Sequence, residues 1–251
     1  GTTAHAVLTL NKEDGGNRKY ILVEMGDYFD TVTKPRIEKV AYSSNWKDGK
    51  PLDTDGQSHI FKYMILEQYE DTLDNIEFLG KDGRVQQTLF SVRDYMLHYF
   101  LNFETKESSC RLNVDRMATP FAYTLKIRRD SGFDQFPADR DGFREVPVDL
   151  VETFNYLIGL HVIRRITREH NGLTYRIVHG TAPDNRKITV VWRNSPKKPE
   201  DHRAELEEDA AFITEKILAE FPDTATLYVN GHCFAPRAVP LEPEFKKRMG
   251  A

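Results

Sequence analysis

The chain has 251 residues, of which 39% are hydrophobic, 11% aromatic and 29% charged, and its formal net charge is −4. This composition is that of an ordinary folded protein and excludes a disordered polypeptide. No apolar run approaches the roughly 20 residues that a membrane-spanning helix needs. The negative charge argues against a stand-alone nucleic-acid-binding module, because such modules gain affinity from basic side chains that contact phosphates. We expect a cytoplasmic protein with no membrane contact.

The first 58 residues predict a helix, a strand and a second helix. Apolar residues within 4–10 are spaced as on one face of a helix, and residues 20–23 form an apolar run typical of a strand in a parallel sheet. The second helix extends to about Tyr42, with a break or a fresh first turn at Pro35. Residues 43–58 are polar and rich in turn-forming residues, so they predict a loop and a domain boundary.

The rest of the chain predicts a second domain. Pro147 begins a helix whose apolar residues recur with a period of 3.6, and Asn171-Gly172 is a strong hairpin signal. The order strand, helix, strand from 187 to 230 indicates a right-handed crossover between parallel strands. The other predicted elements are strands at 59–67, 121–129, 161–168, 173–179, 187–193 and 225–230, helices at 68–79 and 204–221, and a loop at 130–146.

The start of the chain has the layout of a cofactor site. A glycine-containing turn before a helix, followed by a strand that ends in an acid about 20 residues on, holds an adenosine-type cofactor on a doubly wound sheet. Gly1, Thr2 and Thr3 precede the first helix, and Glu24 ends the strand. The first strand of this layout is missing, so we expect the chain to begin inside the motif. The predicted fold is α/β: a partial doubly wound, Rossmann-like sheet in residues 1–58, then an α+β or α/β domain in residues 59–251.

These residues carry a family resemblance. Gly-Thr-Thr-Ala-His-Ala-Val at 1–7, Asn-Lys-Glu-Asp-Gly-Gly-Asn-Arg-Lys-Tyr-Ile-Leu-Val-Glu-Met-Gly-Asp-Tyr-Phe at 11–29 and Lys-Pro-Arg-Ile at 34–37 resemble the modification subunit of type III restriction–modification systems. Residues 147–157 resemble the family's C-terminal region more loosely. Members of this family are adenine-specific DNA methyltransferases that use S-adenosylmethionine.

The resemblance implies a role for five residues. Gly1, Thr2 and Thr3 match the end of the family's cofactor motif, where glycine permits close backbone approach and the helix start offers free amides. Glu24 would accept hydrogen bonds from both ribose hydroxyls, and Met25 would pack beside the adenine. Each residue has a plainer alternative: a frayed terminus for residues 1–3, a solvated charge for Glu24 and core packing for Met25.

The resemblance also limits what the chain does alone. In the family, an Asp-Pro-Pro-Tyr motif that precedes the cofactor motif holds the flipped adenine, and the sequence contains neither this motif nor Asn-Pro-Pro-Tyr. We therefore expect the full-length protein to be the methyltransferase and this chain alone to be inactive. The expected partners are DNA, through the full-length protein, and the restriction helicase–nuclease subunit, and a homodimer is expected. The alternative is that residues 59–251 form a non-catalytic domain for dimerisation or for docking that subunit.

Other features favour structural roles. The histidines have no metal-ligand spacing, and His161 is expected in the core. Basic clusters, such as the one formed by Arg164, Arg165 and Arg168, are expected to be solvated, with contact to DNA phosphate as the alternative. Trp192 is expected in the core, with an interface anchor as the alternative. The two cysteines fit a reducing compartment.

Overall fold

The computed structural model describes residues 1–26, 28–66, 112–113, 116–127, 137–140, 142–195 and 199–249. The fold is mixed α/β and divides into two compact units, Gly1–Asp74 with Arg128–Pro137, and Asn75–Ile127 with Ala138–Ala251. The predicted helix at 68–79 lies outside the described residues. Within the described ranges, no helix is both long enough and apolar enough to cross a membrane.

Two helices and a short hairpin lie in the part of the first unit that the structure describes. Helix α1 spans Thr2–Asp14 and α2 spans Lys34–Tyr42, directly after a π-type turn at Phe29–Thr33. Proline lacks the N–H that would continue an α-helical ladder, and Pro35 lies in the first turn of α2, as predicted. Strands β1 (Trp46–Lys47) and β2 (Lys50–Pro51) pair within the predicted loop.

The core of the first unit is small. Ala4, Leu8 and Ile37 are buried between the two helices, and Tyr20 and Leu22 pack against them together with Val40 and Phe61. The side-chain amide of Asn11 fixes the return of the chain after α1, because it donates to the Arg18 carbonyl at 2.9 Å and accepts from the Arg18 N–H at 3.0 Å.

The strand predicted at residues 20–23 does not form. Residues 15–25 have no regular structure, and the side chains of this segment alternate between contact with the helices and solvent. Ile21 is 91% exposed and Val23 is 86% exposed. The predicted strand at 59–67 is also absent from the described residues 59–66. The physical reason is that a strand exists only with a hydrogen-bonded neighbour, and neither segment pairs with another described segment.

A five-stranded sheet organises the second unit. Its order is β5 (His161–His170), β6 (Leu173–Thr181), β7 (Lys187–Trp192), β8 (Thr226–Val229) and β9 (Ala238–Pro240). The first three strands are antiparallel, and β7, β8 and β9 run parallel, so the predicted parallel pair is confirmed. The predicted hairpin turn is also confirmed, because Asn171 and Gly172 both have positive φ, as a type I′ turn requires.

Helices cover both faces of this sheet. Helix α3 (Leu150–Leu157) and helix α6 (Leu241–Arg248) contribute Phe154 and Phe245 to one buried cluster, which includes Trp192. The other cluster contains Val191 and the apolar side of a long helix that comprises α4 (Arg203–Phe212), a π-type turn (Ile213–Ile217) and α5 (Leu218–Glu220). Successive residues of β7 therefore face opposite clusters, as the pleat of a strand demands.

The sequence did not predict three elements of the second unit. The loop predicted at 130–146 contains the start of strand β4 (Arg144–Pro147), which pairs antiparallel with β3 (Thr124–Ile127). Strand β9 and helix α6 were also not predicted. The predicted helix at Pro147 begins later, at Leu150, because the Asp149 side chain accepts the Glu152 N–H at 3.0 Å and caps it.

Candidate functional site

The Glu24 carboxylate is held by groups in its own turn. Its Oε1 accepts the N–H groups of Met25 and Gly26, each at 3.0 Å, and its Oε2 accepts the hydroxyl of Tyr28. The pKa of Glu24 lies below its ordinary value, first because of the Tyr28 hydrogen bond and then because of the backbone donors. The same hydrogen bond raises the pKa of Tyr28. The turn thus fixes an ionised carboxylate directly after the apolar segment.

The start of helix α1 contacts the second helix. Gly1 itself is close to the second helix, since a Cβ added there would be 3.3 Å from Cδ of Arg36 and 3.5 Å from Cα of Thr33. Arg36 Nη1 donates to Thr2 Oγ1 at 3.1 Å. The contacts with Thr33 and Arg36 hold the helix start in place.

Met25 and Thr3 are open to solvent. Met25 is 83% exposed, so it does not pack in the described core, and Thr3 is also exposed. These two residues, with Glu24 and the start of α1, are the predicted site residues that a ligand could reach. Asp27, between Gly26 and Tyr28, lies outside the described residues.

The local hydrogen bonds leave Glu24 one acceptor site short of what the two hydroxyls of a ribose require. An ionised carboxylate has about four lone-pair sites, and the local bonds to Glu24 use three of them. One acceptor site therefore remains on Oε2, whereas a ribose with two hydroxyls needs two. Glu24 would have to release the Tyr28 hydroxyl to bind both.

The basic cluster on β5 is paired with acids of the helices. Arg164 and Arg168 both lie within ion-pair distance of Glu220, at 3.6 and 2.8 Å, and Arg165 pairs with Glu152. These contacts attach the strand to the helices on either side of it. His161 is exposed, so the prediction that it lies in the core was wrong; it begins edge strand β5. Trp192 is fully buried, and its predicted core position is confirmed.

A buried polar network in the second unit was not predicted. The guanidinium of Arg193, which follows β7, contacts both carboxylate oxygens of Asp209 on α4, at 2.8–3.2 Å. Tyr175 donates to the same carboxylate at 2.8 Å, and its pKa is raised first by burial and then by the Asp209 charge. The sequence signal was Asp209 itself, which lies three residues after Leu206 and four before Ile213 on the apolar side of a helix.

His179 occupies a second buried polar position. Its Nδ1 lies 2.9 Å from Thr189 Oγ1, its ring stacks on Phe221 with centroids 4.7 Å apart, and its Nε2 lies 3.5 Å from Asp223. Burial lowers the pKa of His179 and outweighs the opposing effect of Asp223, while Lys187 lowers the pKa further. The folded protein therefore holds this histidine in its neutral form more strongly than the unfolded chain does.

We expect acid to destabilise the second unit through His179. Because its pKa is depressed in the folded state, the unfolded chain binds the proton more readily, so stability decreases as the pH falls through the unfolded value of about 6.5 toward the folded pKa. Thermal melts from about pH 8 to about pH 5.5 should show this loss. His179→Gln should flatten the slope, whereas the exposed His161→Gln should leave it unchanged. Equal slopes in both variants would contradict the assignment.

The described residues contain no group of three or more histidine, cysteine, aspartate or glutamate residues that could hold a metal ion. No family model, no curated protein and no solved structure matches the chain.

Proposed function

We propose that the first unit contributes part of an S-adenosylmethionine pocket to a site-specific DNA adenine methyltransferase resembling the modification subunit of type III restriction–modification systems. The observation that carries the proposal is the position of Glu24. Its ionised carboxylate follows an apolar segment whose Tyr20 and Leu22 pack on the core that α1 and α2 share. A cofactor site on a doubly wound sheet uses an acid at the end of such a segment to bind the ribose hydroxyls.

The apolar segments of the first unit support the same proposal. Tyr20 and Leu22 contact the helices, while Ile21 and Val23 between them are exposed. In the segment after the hairpin, Phe61 likewise packs against the helices, and its neighbour Ile60 is exposed. Segments that are apolar on both sides are typical of strands covered on both faces in an α/β sheet.

Within this pocket, Glu24 would bind the ribose hydroxyls, Met25 would contact the adenine, and Gly1, Thr2 and Thr3 would lie beside the remainder of the cofactor. The bound cofactor supplies the methyl group that is transferred to the exocyclic amine of adenine. The sequence holds no Asp-Pro-Pro-Tyr motif to position that amine, so cofactor binding is the appropriate readout for this chain. DNA and the restriction helicase–nuclease subunit are the proposed partners.

The test is a calorimetric titration of S-adenosylmethionine into the full 251-residue chain. We expect saturable binding that Glu24→Ala weakens at least about tenfold, because two hydrogen bonds to a charged group are lost. Tyr28→Phe should strengthen binding, since it frees the Oε2 acceptor that the ribose needs. Glu38→Ala, which removes an exposed acid from α2, is the control and should change nothing. Unchanged affinity in Glu24→Ala would refute the ribose-binding role.

We propose further that the second unit is an assembly module, whether for a homodimer or for the restriction subunit. The supporting observation is that it has its own core and yet exposes large apolar side chains, among them Tyr156, Ile163 and Phe234. Ile163 lies at a register shift in β5, between Val162 and Arg164. Sedimentation of the chain and pull-down of the restriction subunit test this role; a monomer that captures no restriction subunit would contradict it.

A further inference from the structure

A groove in the second unit is lined by none of the residues discussed so far as cofactor ligands. It has a volume of about 290 Å³ and opens where α5 ends, beside β8. Its apolar lining includes Leu218, Phe221, Pro222 and Leu227. Since a water molecule takes about 30 Å³ of liquid, the groove has room for a small ligand of several carbon atoms.

Arg237 is the one charged residue among those that line this groove. It lies in a turn that the Ala238 N–H closes by donating to the Ala235 carbonyl at 3.1 Å, with Pro236 before it. Its φ is 68°, in the left-handed region where a turn of this kind favours glycine. The chain therefore places a long cationic side chain at a position where glycine would be less strained, which is a feature found at binding sites.

Most N–H donors of the Arg237 guanidinium have no protein acceptor among the described residues. Its Nη2 donates to the Thr224 carbonyl at a long 3.4 Å, and no ion pair to a carboxylate is formed within the described part of the chain. Arg186 and Arg248, by contrast, each contact an acid at 2.7–2.8 Å. A guanidinium has five N–H groups in a fork that matches a carboxylate, so Arg237 retains the geometry for a bidentate contact.

We propose that this groove binds a small carboxylic acid with an apolar body. The carboxylate contacts the Arg237 fork, and the apolar body lies on Leu218, Phe221 and Leu227. A single cation suits a monoanion.

Titration of hexanoate into the full chain, followed by amide NMR, tests the proposal. We expect saturable shifts at residues 218–221, 223, 224 and 237, and weaker binding of hexanol and inorganic phosphate, each of which lacks one half of the recognition. Arg237→Gln should raise the hexanoate Kd at least about tenfold, because the charge-assisted pair is lost. Arg203→Gln is the matched control, since Arg203 is an exposed helix arginine paired with Glu207.

Arg237→Gly separates binding from folding. Glycine relieves the left-handed strain, so this variant should fold at least as well as the parent chain while binding hexanoate as poorly as Arg237→Gln. The proposal is overturned if the folded parent chain shows no saturable shifts, if hexanol binds as well as hexanoate, or if Arg237→Gly keeps the parent affinity. S-adenosylmethionine titration of the same variants is expected to be unchanged, so the outcome is independent of the cofactor proposal.

Discussion

Replacing Asp209 with alanine is expected to lower the free energy of unfolding of the second unit by about 3–5 kcal/mol. Arg193 and Asp209 have side-chain exposures of only 1% and 5%, so the substitution leaves a guanidinium without its counter-charge inside the protein. The loss of this partner is costly because water cannot replace it. Tyr175 loses its acceptor as well. Among the described residues, the Arg193 guanidinium then has only the carbonyls of Asn230 and His232 as hydrogen-bond acceptors.

The measurement is urea unfolding followed by tryptophan fluorescence in a Trp46→Phe background. The chain has two tryptophans, and Trp192 is then the only one left to report, from the core of the second unit. Asp209→Asn keeps the shape but removes the charge, and it should be nearly as destabilising as Asp209→Ala. Glu207→Ala, on the exposed side of the same helix, should cost no more than about 0.5 kcal/mol. A loss below about 1 kcal/mol in both Asp209 variants would show that the ion pair is not needed for stability.

The second unit was more predictable from sequence than the first because its signals are local. The Asn171-Gly172 turn fixes two long strands, and the periodic apolar residues of α3 and α4 identify their helices. Helix α6 also has a local signal of a helix, because the acids Glu242 and Glu244 in its first turn precede a basic last turn. The Arg193–Asp209 contact was not predictable from local signals, because Arg193 follows β7 and Asp209 lies on α4. The two residues meet only once the helix has packed on the sheet.

The first unit was less predictable, because the strand predicted at residues 20–23 depends on contacts with other segments. Residues 20–23 have the composition of a buried strand, but a strand depends on a neighbour, and composition does not supply one. The position of Glu24 after an apolar segment followed from the sequence. The hydrogen bond from Tyr28 did not, because it depends on how the turn after Gly26 folds back on the carboxylate. This contact is the part of the candidate site that only the structure reveals.

Replacing Phe154 with alanine is the second change from which we expect a large effect, a loss of about 3–5 kcal/mol in the stability of the second unit. Phe154 is fully buried where four aromatic side chains meet: its ring stacks on Phe245 at 5.5 Å and meets the edges or faces of Trp192 at 6.0 Å and Tyr228 at 5.6 Å. No other side chain can fill the space without leaving its own contacts, so a cavity remains. Phe234→Ala, at a half-exposed position, is the control and should have a small effect.

Amide hydrogen exchange measures the effect of Phe154→Ala on the protection of each unit separately. We expect the loss of protection to centre on β6 and β7, whose residues Val178 and Val190 share the cluster with Phe154. Protection in α1 should be unchanged, because its core contains Ala4, Leu8 and Ile37 and no member of that cluster. The affinity for S-adenosylmethionine should be unchanged as well, although the sheet of the second unit is destabilised. An equal loss of protection in α1 would mean that the two cores unfold together and would contradict this prediction.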